Sequence, residues 1–148
     1  MRVLVTRPEP ESDALAHTLR TLGHVPVQCP MLQIRFRDAR VDLDGVQALL
    51  FTSGAGARAF AHASARRDLP VFSVGQATAP SARELGFPSV ETANGDGAAL
   101  VDHVAARAST ESGALLHVSG AHVAGDLAAS FAPRCTTARM IVPVKTPW

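Results

Sequence analysis

Four places in the 148-residue sequence put small, hydroxyl or basic residues directly after a short apolar run and directly before a helical pattern: Thr6-Arg7, Thr52-Ser53-Gly54, Gly75-Gln76 and Ser119-Gly120. A helix start offers unbonded backbone N–H groups and a partial positive charge, which suits carboxylates and phosphates. Glycine at such a turn lets a ligand come close to the backbone. Serine, threonine and glycine are also what any strand-to-helix turn uses for capping and bending. One such turn therefore fits a cap better than a ligand site. Three in succession, at 52–54, 75–76 and 119–120, bring the two readings level.

Other chemistries lack their residues. Gly54-x-Gly56-x-x-Ala59 has the lettering of a dinucleotide-binding turn, but no acidic residue ends a strand about 20 residues on; Val74-Gly75 stands there. No lysine follows a glycine-rich loop, as a nucleoside triphosphate site requires. A phospho-receiver needs an acidic strand end where Thr52-Ser53 lies. His117 and His122 have no Cys or carboxylate nearby that completes a metal set, and read as ordinary strand-end or surface histidines. Ser53 and Ser119 have no histidine and acid arranged for nucleophilic catalysis, and "TSGAG" is not a nucleophile elbow. Cys29 and Cys135 lie 106 residues apart and fit neither zinc spacing nor a disulfide framework.

The elements that must hold these turns alternate. Val3–Val5 reads as a buried strand, and Ser12 reads as the cap of a helix whose Leu15, Leu19 and Leu22 share a face and which Gly23 ends. Val25–Cys29 and Leu32–Phe36 read as extended. Ala48–Phe51 and Val71–Val74 are strands, followed by helices at 57–65 and beyond Thr78, which reads as a cap with Pro80 in the first turn. Ser89–Glu91 is a short strand, Leu100, Val101 and Val104 mark a helix face, and Ala114–Val118 is a strand. A helix with Leu127 and Phe131 and a last apolar run at Met140–Val142 complete the pattern. Alternating strands and helices predict an α/β fold, a doubly wound parallel sheet with about five strands from residue 33 onward. The first strand and helix are surplus to it.

Composition agrees with a folded, diffusible protein. Hydrophobic residues make up 47% and charged residues 18%. A net charge of +1, without a basic cluster, argues against nucleic acid as a partner. No apolar run reaches a membrane span and the N-terminus does not read as a signal peptide, so the expected location is the cytoplasm.

Four stretches together resemble the uroporphyrinogen-III synthase family: "VLVTRPEPESDALAHTLRTLGHVPV" at 3–27, "ALLFTSGAGARAFA" at 48–61, "VFSVGQATAPSARELGF" at 71–87 and "GALLHVSGAHVAGDLAASF" at 113–131. The resemblance implies two flavodoxin-like domains joined by two extended strands. Residues 1–30 would begin domain one, 35–142 would form domain two, and 143–148 would start the return linker, which implies a chain truncated before domain one is complete. Gly54-Ala55 stands where the family often has Pro-Asn, and Val144 where it often has Tyr.

The activity implied is a lyase reaction in haem and tetrapyrrole biosynthesis, without cofactor or metal. The substrate, hydroxymethylbilane, is a linear tetrapyrrole with eight carboxylates. It loses water, closes, and has its last pyrrole ring inverted. The implied contacts are Arg7, Thr52, Ser53, Gly54, Gly75, Gln76, Ser119 and Gly120, with Thr78 the candidate hydroxyl for catalysis. The family is usually monomeric, while a truncated chain would leave apolar surface able to self-associate. The competing reading is a non-catalytic flavodoxin-like module that binds an anionic ligand or a protein.

Overall fold

The computed structural model describes residues 1–38, 40–109, 111–120, 127–131 and 135–145. The chain forms two compact units, Met1–Arg35 with the chain from Val142 onward, and Phe36–Ile141.

In the first unit, β1 (Arg2–Val5) leads into α1 (Glu11–Thr21), and β2 (Val25–Gln28) pairs parallel with β1 in a two-stranded sheet. α1 does not start at a serine cap. Its N-cap is Pro10, and Ser12 is the second residue of the helix, its N–H already donating to Pro8 O at 3.0 Å. Glu11 and Asp13 in the first turn complement the helix's positive end. The buried stripe of α1 is Ser12 and Ala16, both 0% exposed; Leu15 and Leu19 are only half-buried and Leu22 is exposed. Small side chains bring the helix close to the sheet, and the leucines flank that contact. The helix stops as anticipated at Gly23, whose φ of +79° suits a left-handed cap. Gly23 N–H donates to Arg20 O and His24 N–H to Leu19 O, a complete Schellman closure. β3 (Leu32–Phe36) coincides with the expected extended segment.

The second unit is built on β4 (Val46–Phe51), β5 (Val71–Val74), β6 (Val90–Ala93), β7 (Ala114–Gly120) and the part of β8 (Cys135–Lys145) up to Ile141, within a six-stranded sheet of order β3-β8-β7-β4-β5-β6. β4 pairs parallel with both β5 and β7, β5 with β6, and β7 with β8. The parallel, doubly wound α/β sheet read from the sequence is the one that forms. Residues of β4, β5 and β7 alternate between two buried faces. On one face Leu50, Phe72 and Leu115 pack with Leu100 and Val104 of α4 (Gly97–Ala105) and with Phe131, just after α5 (Leu127–Ser130). On the other, Phe51 meets Phe60 of α2 (Gly54–Ala63) at 6.1 Å and Phe87, which follows α3 (Gly75–Glu84), at 5.7 Å. Continuous apolar strands fit a sheet covered on both sides.

Two helix starts differ from expectation. α2 begins at Gly54, directly after the Ser53 cap, three residues before the expected start. α3 begins at Gly75, with Val74 as its cap, so Thr78 sits in the first turn rather than before it and Pro80 lies inside the helix. Gly75 has φ +69°, which lets the strand turn straight into the helix without a spacer. Among the described residues, no helix is long and apolar enough to cross a membrane.

Candidate functional site

Chain order in the second unit reverses beside β4. From β4 the chain moves outward through β5 to β6, then returns to add β7 on the other side of β4. Right-handed crossovers in opposite directions place α2 and α3 on one face and α4 on the other. The crevice outside the carboxyl ends of β4 and β7 is the topological switch point, where open α/β sheets bind ligands. The pairings Phe51↔Val118 and Phe51↔Ser73 set three strand ends at one edge. Thr52-Ser53-Gly54, Ser119-Gly120 and Gly75-Gln76 therefore come together, as neighbours on β4, β7 and β5.

Each turn has its own chemistry. Ser53 is exposed and caps α2, its Oγ accepting from Gly56 N–H at 3.2 Å. That cap uses one of the helix's free N–H groups and leaves the others of the first turn. Thr52 is exposed beside it. Gly56 sits so tightly that a Cβ there would lie 3.0 Å from Val118 O, so the start of α2 is seated on the end of β7. A Cβ on Gly54 would meet Ser81 Oγ at 2.8 Å and Arg58 Nη1 at 3.2 Å. These two glycines of the dinucleotide-like lettering therefore serve helix packing. Ser119 is 2% exposed, with its hydroxyl donating to Gly120 O at 3.2 Å, so that turn presents backbone more than side chain.

Gln76 is exposed, and its Nε2 donates to Asn94 Oδ1 at 2.9 Å. Thr78, by contrast, is 4% exposed. Arg7 lies exposed after β1, in the first unit. His117 is buried in β7, and His122 lies outside the described residues. No group of three or more metal-ligating side chains occurs among the described residues.

The sequence reading missed three residues beside this edge, in two places. Asn94 follows the end of β6, at the same edge, and Asp96 caps α4 by accepting from Ala98 and Ala99 N–H at 3.0 and 3.2 Å. The signal was Gly95-Asp96-Gly97, which reads as a turn but also carries a cap. Arg58 is the third: a side chain four residues into a helix leans back toward its start, which brings the guanidinium to Gly54.

Solved structures share this fold. A mutant uroporphyrinogen III synthase from Thermus thermophilus matches with a TM-score of 0.58 at 16% identity, over 99% of this chain and 64% of that one. The uroporphyrinogen-III synthetase of Helicobacter pylori matches with a TM-score of 0.64 at 12% identity, over 99% of this chain and 63% of that one. The chain thus spans less than two thirds of the length of these structures. Among curated proteins the sequence finds no significant match. The sequence model of one family, described as uroporphyrinogen-III synthase HemD, matches residues 13–147, and the chain belongs to that family.

Proposed function

We propose that the protein acts in the uroporphyrinogen-III synthase reaction, closing hydroxymethylbilane with loss of water and inversion of its last pyrrole ring. The observation that carries this reading is the meeting of three small-residue strand ends at the switch point of a HemD-family sheet.

The substrate's eight carboxylates call for many weak anion sites more than for one strong charge. Free N–H groups in the first turns of α2 and α3 supply such sites without a basic patch, in keeping with a net charge of +1. Thr52, Ser53, Gly54, Gly75, Gln76, Ser119 and Gly120 are the contacts we assign at this edge, and Arg7 the guanidinium for a further carboxylate.

The reaction needs the terminal hydroxyl to leave as water, which requires a proton at that oxygen. The azafulvene left behind is attacked by the substituted carbon of the last pyrrole. The spiro intermediate fragments and recloses with that ring inverted. The unassisted chain closes without inversion, so the protein's work is to hold the ends in one geometry. Thr78 is the hydroxyl we assign to the departing water. At 4% exposure, it meets substrate only if the first turn of α3 opens.

The test is incubation with hydroxymethylbilane and separation of the product isomers. The inverted isomer, above the protein-free control, is the expected result. A product mixture identical to the control overturns the proposal. Calorimetric binding of acidic tetrapyrroles without turnover would leave the non-catalytic module as the reading.

A further inference from the structure

We propose that Arg67 is a positioning residue for the carboxyl-end edge of the sheet, acting from the far ends of the two helices that start there. The importance of that edge rests on the functional reading above; the brace itself does not.

Among the described residues, half-buried Arg67 gives its N–H groups to backbone carbonyls. Nη2 donates to Ala61 O at 3.3 Å, in the last turn of α2, and Nη1 to Ser64 O at 2.6 Å and Arg66 O at 2.7 Å, just beyond it. Nε donates to Leu85 O at 2.8 Å, the C-cap of α3. The carbonyls of Ala61, Ser64 and Leu85 lie where a helix carries its negative end and lacks internal donors. One cation thus joins the ends of two helices whose starts, at Ser53-Gly54 and Gly75-Gln76, form the candidate site.

The guanidinium also lies 5.0 Å from the centre of the Phe87 ring. Phe87 packs against Phe60 of α2 at 5.9 Å and against Phe51 at 5.7 Å. Phe51 is 0% exposed and is the last residue of β4, immediately before Thr52. A continuous packed path therefore runs from Arg67 to the turn that begins α2. Lysine has one compact charge and cannot span both helix ends, so Arg67→Lys removes the brace while keeping the charge.

Hydrogen exchange on the full chain tests this, comparing wild type, Arg67→Lys, Arg67→Ala and the control Arg66→Lys. The Gly56 amide, held by Ser53, reports on the β4–α2 turn, and the Leu116 amide reports on the sheet core. In Arg67→Lys, Gly56 is expected to exchange about tenfold faster while Leu116 changes less than about twofold, as in local opening. Arg66→Lys should leave both near wild type. A merely stabilising role would speed both amides together; that result, or no change at either, overturns the proposal. Should Arg67→Ala not fold, Arg67→Lys carries the test alone, and failure of Arg67→Lys to fold also overturns it. The outcome does not depend on whether hydroxymethylbilane is turned over.

Discussion

The two units bury their apolar residues to very different extents. Among the described residues, the large hydrophobics left exposed are Met1, Leu4, Leu22, Val25, Val27, Met31 and Leu32, and all lie in the first unit. Leu4 pairs in register with Val27 and Arg2 with Val25, so these residues line one face of the two-stranded sheet. α1 lies on the other face, where Gln28 reaches Asp13. In the second unit the central strands β4, β5 and β7 are covered on both faces, and Leu49, Leu50 and Phe51 are all 0% exposed. The lesson is that an apolar strand is buried by what crosses over it. Parallel strands ordinarily need helices on both faces and more than two members.

The sharpest way to break this contrast is a pair of truncations. Phe51→Ala, in the covered sheet, is expected to cost about 3–5 kcal/mol in urea unfolding. Leu4→Ser, on the bare face, is expected to change stability by no more than about 0.5 kcal/mol while lowering dye binding and self-association by light scattering. A Leu4→Ser loss as large as that of Phe51→Ala would mean the face is covered in solution, and the comparison would fail.

Glycines give the next step down. Gly56→Ala forces a methyl to within 3.0 Å of Val118 O and should cost about 1–3 kcal/mol through crowding. Gly23→Ala meets nothing within 4 Å, so its cost, about 1 kcal/mol, is conformational, from φ +79°. Gly23→Asn should recover part of it and Gly56→Asn none, a distinction readable from denaturation midpoints.

Much of this was legible in the residues. The apolar run at 48–51 and the largely apolar one at 71–74 announced parallel strands, and Gly23 announced a helix end, closed by Schellman bonds. The chemistry-bearing turns were legible as strand ends. That those at 52–54 and 119–120 face each other across a switch point was not, because strand order depends on which long-range pairs form. Helix starts were the weakest part. Ser12 and Thr78 look like caps by type, yet the chain turns earlier, at Pro10 and at Gly75, where backbone geometry decides.

Two serines turn that lesson into a measurement of about 1 kcal/mol. Ser53 caps α2, so Ser53→Ala should destabilise by about 1 kcal/mol. Ser12 Oγ is buried with no partner among the described residues, so Ser12→Ala should be neutral or stabilise, by up to about 1 kcal/mol. Opposite signs in chemical denaturation separate a cap from a helix interior; equal losses would mean Ser12 is bonded after all.

The smallest effect distinguishes the exposed polar links of the units. In the first, Gln28 Nε2 donates to Asp13 Oδ1 at 2.7 Å, a bond with one neutral partner. In the second, Arg66 grips Asp68 with Nη2 at 2.8 Å and Nε at 3.1 Å. Hydrogen bonding from Arg66, then from Asp68's own backbone, holds the Asp68 carboxyl below the ordinary aspartate range. Because the folded value lies below the unfolded one, its stabilising contribution is complete above the ordinary range and is lost as pH falls through the folded value. Both groups are at the surface, so salt screens the pair and its effect on unfolding is small. The carboxyl carbon resonance of Asp68, titrated by NMR, should show a midpoint below that of an unperturbed aspartate. Arg66→Gln should move the midpoint up, and added salt should move it part of the way. A midpoint indifferent to Arg66→Gln would show that the guanidinium does not hold the carboxylate in solution, and the charged link would then be no stronger than the neutral one at Gln28.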